Sequence, residues 1–213
     1  MEAKKTFFNL PEEKQKRILE TALEEFSEKG FNGASINLIV SKLGIAKGSI
    51  YQYFTDKKSL FLHIFDYAVD LIRKRLKQVK QESKEEPTFE RIKRSLLAGV
   101  DFIEQHPFVY RGYLKMMFER EVPFRQELLQ KIRLFSSEYL TSLLLEGRER
   151  GEISKDVNLE TTVFLLDAVM DRFLQVYTVP YLDSGLHLHG AKRSEIEKRI
   201  DELVEMIRKG IGN

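Results

Sequence analysis

A chain of 213 residues with 42% apolar and 32% charged residues has the composition of a folded globular protein, not of a disordered one. It has no cysteine, so disulfides, thiolate metal sites and thiol redox chemistry are excluded. The formal charge of +2 is unevenly placed: residues 1–80 hold 15 Lys/Arg against 10 Asp/Glu, and the remainder 20 against 23. From Lys29 to Lys58 five lysines stand against one acid, Asp56, which marks a possible polyanion-binding end, although solvated lysine faces are common. No apolar run approaches the roughly 20 residues that span a bilayer. The opening "MEAKKTFFNLPEEK" lacks an apolar core followed by a small-residue cleavage site, so no signal peptide is expected and the cytoplasm is the expected compartment.

Helical periodicity runs through nearly the whole chain, and no stretch alternates convincingly as a strand. Pro11 followed by Glu12 and Glu13 has the chemistry of a helix's first turn. Ile18, Leu19, Ala22, Leu23 and Phe26 then form an apolar stripe that Gly30 should end. Asn32-Gly33 predicts a turn, and Ser35 an N-cap for a second helix with Ile36, Ile39, Val40 and Leu43 inward. Gly44 breaks that helix, a very short third one covers Lys47 to Phe54, and Asp56 caps a fourth. The fourth, from Lys57 to about Lys80, turns Leu60, Ile64, Ala68, Leu71 and Ile72 inward. The polar run "KQVKQESKEEPT" predicts a joint before Phe89. Further helices are expected near 88–105, 107–119, 124–149, 159–179 and 193–210, so the fold class is all-α.

Two helices of about eight residues joined at Gly44 have the geometry of a helix-turn-helix. On the short helix, Ile50 and Phe54 are four apart and can hold it down, while Lys47, Ser49, Tyr51 and Gln52 can face outward. Lysine can donate to guanine, glutamine can pair with adenine, and hydroxyls reach phosphate. Gly48 removes a side chain where the helix start would approach a nucleic-acid backbone. The run "RILETALEEFSEKGFNGASINLIVSKLGIAKGSIYQYFTDKKSLF", Arg17 to Phe61, resembles the tetracycline-repressor (TetR) family of bacterial transcription regulators. "EGRERGEISKDVN" is similar to that family's glycine-rich link between the last two long body helices.

The resemblance implies an N-terminal three-helix DNA-binding domain, residues 1–60, and a larger helical ligand-binding and dimerisation domain, residues 61–213. It implies DNA contacts for Ser35, Asn37, Lys47, Gly48, Ser49, Tyr51, Gln52 and Tyr53, with Lys57 as a phosphate clamp. Ala46 stands where the family often has serine, so the third helix lacks its usual N-cap. Tyr53 can instead pack on the first helix, and Gln52 can be plain surface. The implied function is that of a homodimeric, ligand-responsive transcription regulator, a repressor, bound to an inverted-repeat operator in double-stranded DNA. It would be released by a small lipophilic effector that shifts the fourth helix.

Candidate effector contacts are Tyr113 and Met117 from "YRGYLKMMF", and Phe164, Asp167, Asp171, Phe173 and Tyr177. Asp167 and Asp171 are four apart on one face of an apolar helix, so each needs a partner: Arg172, Arg111, another arginine, solvent at the rim, or a cationic ligand. His187 and His189 are two apart with no supporting carboxylate pattern, so no metal site is assigned, and no cofactor or membrane partner is expected. The nucleophile-elbow, phosphate-loop, zinc-helix and dinucleotide motifs are missing, which argues against an enzyme. The rival readings are a DNA-architectural protein without a ligand response and, less favoured, a helical enzyme or carrier.

Overall fold

A computed structural model describes residues 3–119 and 122–212. Met1 and Glu2 of the opening segment, and Asn213 at the end of the expected body domain, lie outside the described residues. Among those described there are ten α-helices: α1 Lys5–Phe8, α2 Glu12–Gly33, α3 Ile36–Leu43, α4 Lys47–Tyr53, α5 Lys57–Glu82, α6 Thr88–Gln105, α7 Pro107–Phe118, α8 Arg125–Glu149, α9 Leu159–Thr178 and α10 Arg193–Ile211. Their only extended pairing is an isolated bridge between Ile153 and Gly212. No helix among them is long and apolar enough to cross a membrane.

Chain contacts group these helices into two compact units. One joins the chain up to Arg73 with His106–Gln130, and the other joins Lys74–Gln105 with the chain from Lys131 on. Compactness and function need not divide a chain at the same residue, and a functional boundary near residue 60 remains a separate proposal.

In the first unit, α2 buries Ile18, Leu19, Ala22, Leu23 and Phe26 as its periodicity predicts. It does not stop at Gly30. The chain takes φ 69° and ψ 177° there, a region open essentially to glycine, and resumes helix to Gly33. A Cβ at Gly30 would collide with the Glu119 carboxylate just beyond α7, the helix that packs along α2. α3 is capped by the Ser35 hydroxyl, which accepts from Leu38 N at 3.4 Å, and ends at Gly44 in the left-handed conformation. Ile39, Val40 and Leu43 are buried, while Ile36 is half-buried. α5 is entered through a reciprocal cap: Ser59 N donates to Asp56 Oδ1 at 2.7 Å and Asp56 N to Ser59 Oγ at 3.0 Å.

The second unit is built around Ile92, Leu96 and Val100 of α6, with Leu140, Leu143 and Leu144 of α8, Leu166 and Phe173 of α9, and Ile196, Ile200 and Val204 of α10. The expected joint at residues 77–88 starts later, because α5 continues to Glu82 and buries Val79. Lysine, glutamine and glutamate are good helix formers, so a polar run need not break a helix. The link around Gly151 joins α8 to α9, one connection earlier than expected, and residues 180–192 join α9 to α10.

One charged group fixes this unit's polar interior. Arg91 of α6 is 1% exposed and donates to Glu146 Oε2 of α8 at 2.7 Å. Lys80 of α5 lies 3.3 Å from the same carboxylate, and Ser142 donates to it at 2.9 Å. Burial alone would push the Glu146 carboxyl up, but the Arg91 and Ser142 hydrogen bonds, the Arg91 charge and Lys80 outweigh it. They bring the pKa from 4.5 to about 2. A lowered folded-state pKa means stabilisation that is complete above about pH 4.5 and lost as pH falls toward 2. Glu146→Gln should therefore cost about 3 kcal/mol at neutral pH, because it leaves a buried guanidinium without its counter-charge. The gap to wild type in urea melts should narrow as pH drops from 4.5 toward 2.

Candidate functional site

The short helix α4 has two distinct sides. Ile50 and Tyr53 are buried, with Phe54 just beyond them, while Lys47, Gly48, Tyr51 and Gln52 are exposed. The spacing of the exposed set, 47/48 and 51/52, is one helical turn, so the four lie on a common face. The helix begins without a side-chain cap at Ala46, as its residue type predicts. Ser49 is half-buried at the edge of the face. On α3, Asn37 is exposed beside Leu38, and Ser35 is half-buried with its hydroxyl occupied as N-cap.

Tyr53 is 8% exposed, with its ring centroid 6.2 Å from that of Phe7. Its ring therefore belongs to the packing that holds α4, in contrast to the exposed Tyr51. Lys57 is half-buried: its ammonium donates to the Asn32 carbonyl at 3.0 Å and lies 5.1 Å from the Phe31 ring centroid. Burial lowers its pKa and the Glu25 charge partly offsets this. A Cβ built on Gly48 meets no atom within 4 Å. The chain's own packing thus gives no reason for glycine at an exposed helical position, where alanine would be the better helix former.

Sequence reasoning missed two supports of this face. Glu25 of α2 is 1% exposed and its Oε1 accepts from Ser35 N at 3.0 Å, fixing the start of α3. Its place within the apolar stripe, three residues after Ala22, was the available signal. The other is α1, which packs against α4 and whose "KTFF" was not assigned to a helix.

The candidate effector residues fall in both units. In the first, Tyr113 and Met117 of α7 are half-buried, and Tyr113 packs on Tyr110 with ring centroids 5.7 Å apart. In the second, Asp167 and Asp171 are both bound by Arg133 of α8, Nη1 to Asp167 Oδ2 and Nη2 to Asp171 Oδ2, each at 2.8 Å. Ser136 also donates to Asp167 at 2.7 Å, and Gln175 to Asp171 at 3.1 Å. The arginine is neither of the two named from sequence: Arg172 donates to the Leu182 carbonyl, and Arg111 lies 3.6 Å from Glu28. Phe173 is buried, but Phe164 is 73% exposed. Nine residues at 100° each place the two on opposite sides of α9, so they do not share a cavity wall within this unit. Tyr177 donates to Glu104 Oε1 at 2.6 Å, and burial followed by the Glu104 bond and charge pushes its pKa up to about 12. Among the described residues no cluster of His, Asp or Glu could hold a metal ion, and Asp183 accepts instead from the backbone of Gly185, Leu186 and Leu188.

Residues 18–64 match the sequence profile of the bacterial regulatory proteins, tetR family. The chain is 32% identical over 199 residues to a Bacillus subtilis protein named as the uncharacterized HTH-type transcriptional regulator YuxN, covering 91% of this chain and 64% of that one. It is 30% identical over 146 residues to another from Bacillus subtilis, the uncharacterized HTH-type transcriptional regulator YerO, covering 65% of this chain and 49% of that one. The chain thus spans about half of one of these relatives and just under two thirds of the other. The crystal structure of a TetR family transcriptional regulator from Chloroflexus aurantiacus matches it with a TM-score of 0.73 at 26% identity, covering 100% of both chains.

The open space at Gly48 yields a direct test. Gly48→Ala should leave the melting temperature unchanged or slightly raised, since alanine in an exposed helix is favoured by up to about 1 kcal/mol. On the reading of this face as a DNA-binding surface, the same variant should bind duplex DNA more weakly in fluorescence anisotropy, because the methyl group would enter the space left for a phosphate backbone.

Proposed function

We propose that this chain, whose residues 18–64 match the tetR-family profile and whose fold matches that of a TetR family regulator, is a transcriptional repressor that binds an inverted-repeat operator as a homodimer and is released by a small lipophilic effector. The observation that carries the DNA reading is the two-sided α4, with Lys47, Gly48, Tyr51 and Gln52 left open on one face and Ile50, Tyr53 and Phe54 packed behind it. In this reading α4 enters the major groove, Lys47 and Gln52 meet base edges, and Tyr51 and Ser49 meet base edges or phosphate. Asn37 and Ser35 approach from α3. Lys57 bridges to phosphate with the ammonium hydrogens not used on Asn32. The functional head then comprises roughly the first 60 residues, and the rest of the chain senses the effector and dimerises.

Dimerisation is assigned to α9 and α10. On α9, Phe164, Leu165 and Ala168 are exposed in a row at helical spacing, and on α10 Met206 is 71% exposed. A partner helix pair would take these side chains out of water, at about 1.5–3 kcal/mol for each large one. Phe164 is therefore placed at the subunit interface rather than in an effector pocket.

For the effector, the Arg133 bonds to Asp167 and Asp171 favour a neutral or anionic lipophilic compound over a cation, since the two carboxylates already share a counter-charge. Tyr177, half-buried one turn beyond the buried Phe173, offers aromatic surface on the same helix. Effector binding would displace α5, one continuous helix from Lys57 to Glu82 that follows α4 in the chain. A coupling of about 1–3 kcal/mol suffices, because a rigid dimer moved off its spacing loses both half-sites together.

Selection from random duplex DNA tests the reading as a whole. The expected product is an inverted repeat with half-sites about one helical turn apart or somewhat more, and recovery of a single asymmetric site bound by a monomer contradicts it. Phe164→Glu should yield a monomer in light scattering and weaken operator binding without loss of helix content. In a thermal-shift screen, fatty-acyl or neutral lipophilic compounds should raise the melting temperature more than lipophilic cations do.

A further inference from the structure

A seven-residue helix cannot order itself in water, and each helix end leaves four backbone groups without partners. At the C-terminal end of α4 those groups are the carbonyls of Ile50, Tyr51, Gln52 and Tyr53. The first accepts from Phe54 N at 2.9 Å, and the other three are closed by the N-terminal arm. Lys4 Nζ donates to Tyr51 O at 2.7 Å, Thr6 Oγ1 donates to Gln52 O, and Lys4 N donates to Tyr53 O at 2.8 Å. The Lys4 ammonium also sits at the end of the helix where the backbone dipole favours a cation. One residue further, Phe7 is 1% exposed, its ring 5.1 Å from Phe54, 6.2 Å from Tyr53 and 5.2 Å from His63, centroid to centroid.

We propose that the arm Lys4–Phe8 is a positioning element for sequence reading: it closes the C-terminal end of α4 and so fixes the placement of Lys47, Tyr51 and Gln52 against base edges. The proposal rests on the reading of α4 as the DNA-recognition helix. Base contacts tolerate misplacement of only about half an ångström, while attraction to phosphates falls slowly with distance. Loosening the end of α4 should therefore reduce specific binding and spare non-specific binding. A purely electrostatic role for the arm would instead lower affinity for specific and non-specific duplexes alike.

The experiment uses the full-length chain and two duplexes of equal length, the sequence recovered by selection and its scrambled counterpart, at one salt concentration. Thr6→Val keeps size and charge and removes the hydroxyl donor, and Thr6→Ser restores it. The expected result is about a tenfold loss of affinity for the selected duplex in Thr6→Val, the scale of one lost cap in each of two heads. Affinity for the scrambled duplex should change by less than about twofold, and Thr6→Ser should return both to wild type. Backbone amides of residues 50–54 should exchange faster in Thr6→Val than in wild type or Thr6→Ser. Equal losses on both duplexes, or wild-type binding by Thr6→Val, overturn the positioning role. Lys47→Ala and Tyr51→Ala separate this from a failure of the underlying reading. If they bind like wild type, or if selection recovers no sequence, the assignment of α4 to DNA falls and the arm's role with it. If they weaken binding while Thr6→Val does not, the inference about the arm alone is wrong.

Discussion

The seven-residue helix α4 sets the terms for what surrounds it: two turns with one face open have to be held still by their neighbours. It has no side-chain cap at Ala46 and no glycine terminator after Tyr53. What fixes it is packing along its back and bonds from other parts of the chain. Ile50, Tyr53 and Phe54 bury its back, and the arm from Lys4 to Phe8 closes its end. α3 delivers it through the left-handed turn at Gly44, and α3 is itself pinned by the buried Glu25. The open face consists of what remains once these demands are met: two long polar side chains, a tyrosine and a glycine that no packing explains.

The second unit meets a related constraint with charges. A helical interior that admits an arginine must supply its partner, because an unpaired buried guanidinium would cost several kcal/mol. Arg91 therefore draws Glu146, and Glu146 draws Ser142 and Lys80, so that one carboxylate ties together α5, α6 and α8. Arg133 does the same between α8 and α9 by taking Asp167 and Asp171 in its two arms. These groups serve as cross-links between helices, and an effector in this unit would meet surfaces whose charges are already matched.

How much of this was legible in the sequence depended on how far apart the interacting residues are. The helices of the head, the Ser35 and Asp56 caps and the break at Gly44 rest on neighbours within four positions, and the local pattern reveals them. Asp167 and Asp171 announced that they needed a partner, but Arg133 lies 34 positions from the nearer one, and nothing local singles it out from other arginines. The arm was illegible for the same reason: "KTFF" is too short to show periodicity, and its partners lie more than forty positions away. Phe164 and Phe173 differ from these cases. Their nine-residue separation on one helix already implies opposite faces.

Charge is where the local and the folded views diverge most. The lysines between Lys29 and Lys58 look in sequence like one basic surface, but folding gives three of them an internal partner. Lys42 lies 3.2 Å from Glu24, Lys57 donates to the Asn32 carbonyl over the Phe31 ring, and Lys58 sits 4.1 Å from the Phe124 ring centroid. Lys4, outside that window, is held by the end of α4. Each ammonium keeps hydrogens that a phosphate could take in the proposed reading, but its position is already set by the protein. A net positive charge in the first 80 residues thus says little about affinity by itself. In the proposed reading, charges fixed in this way would set how the protein is positioned on a duplex, and the base-edge contacts of α4 would distinguish one sequence from another.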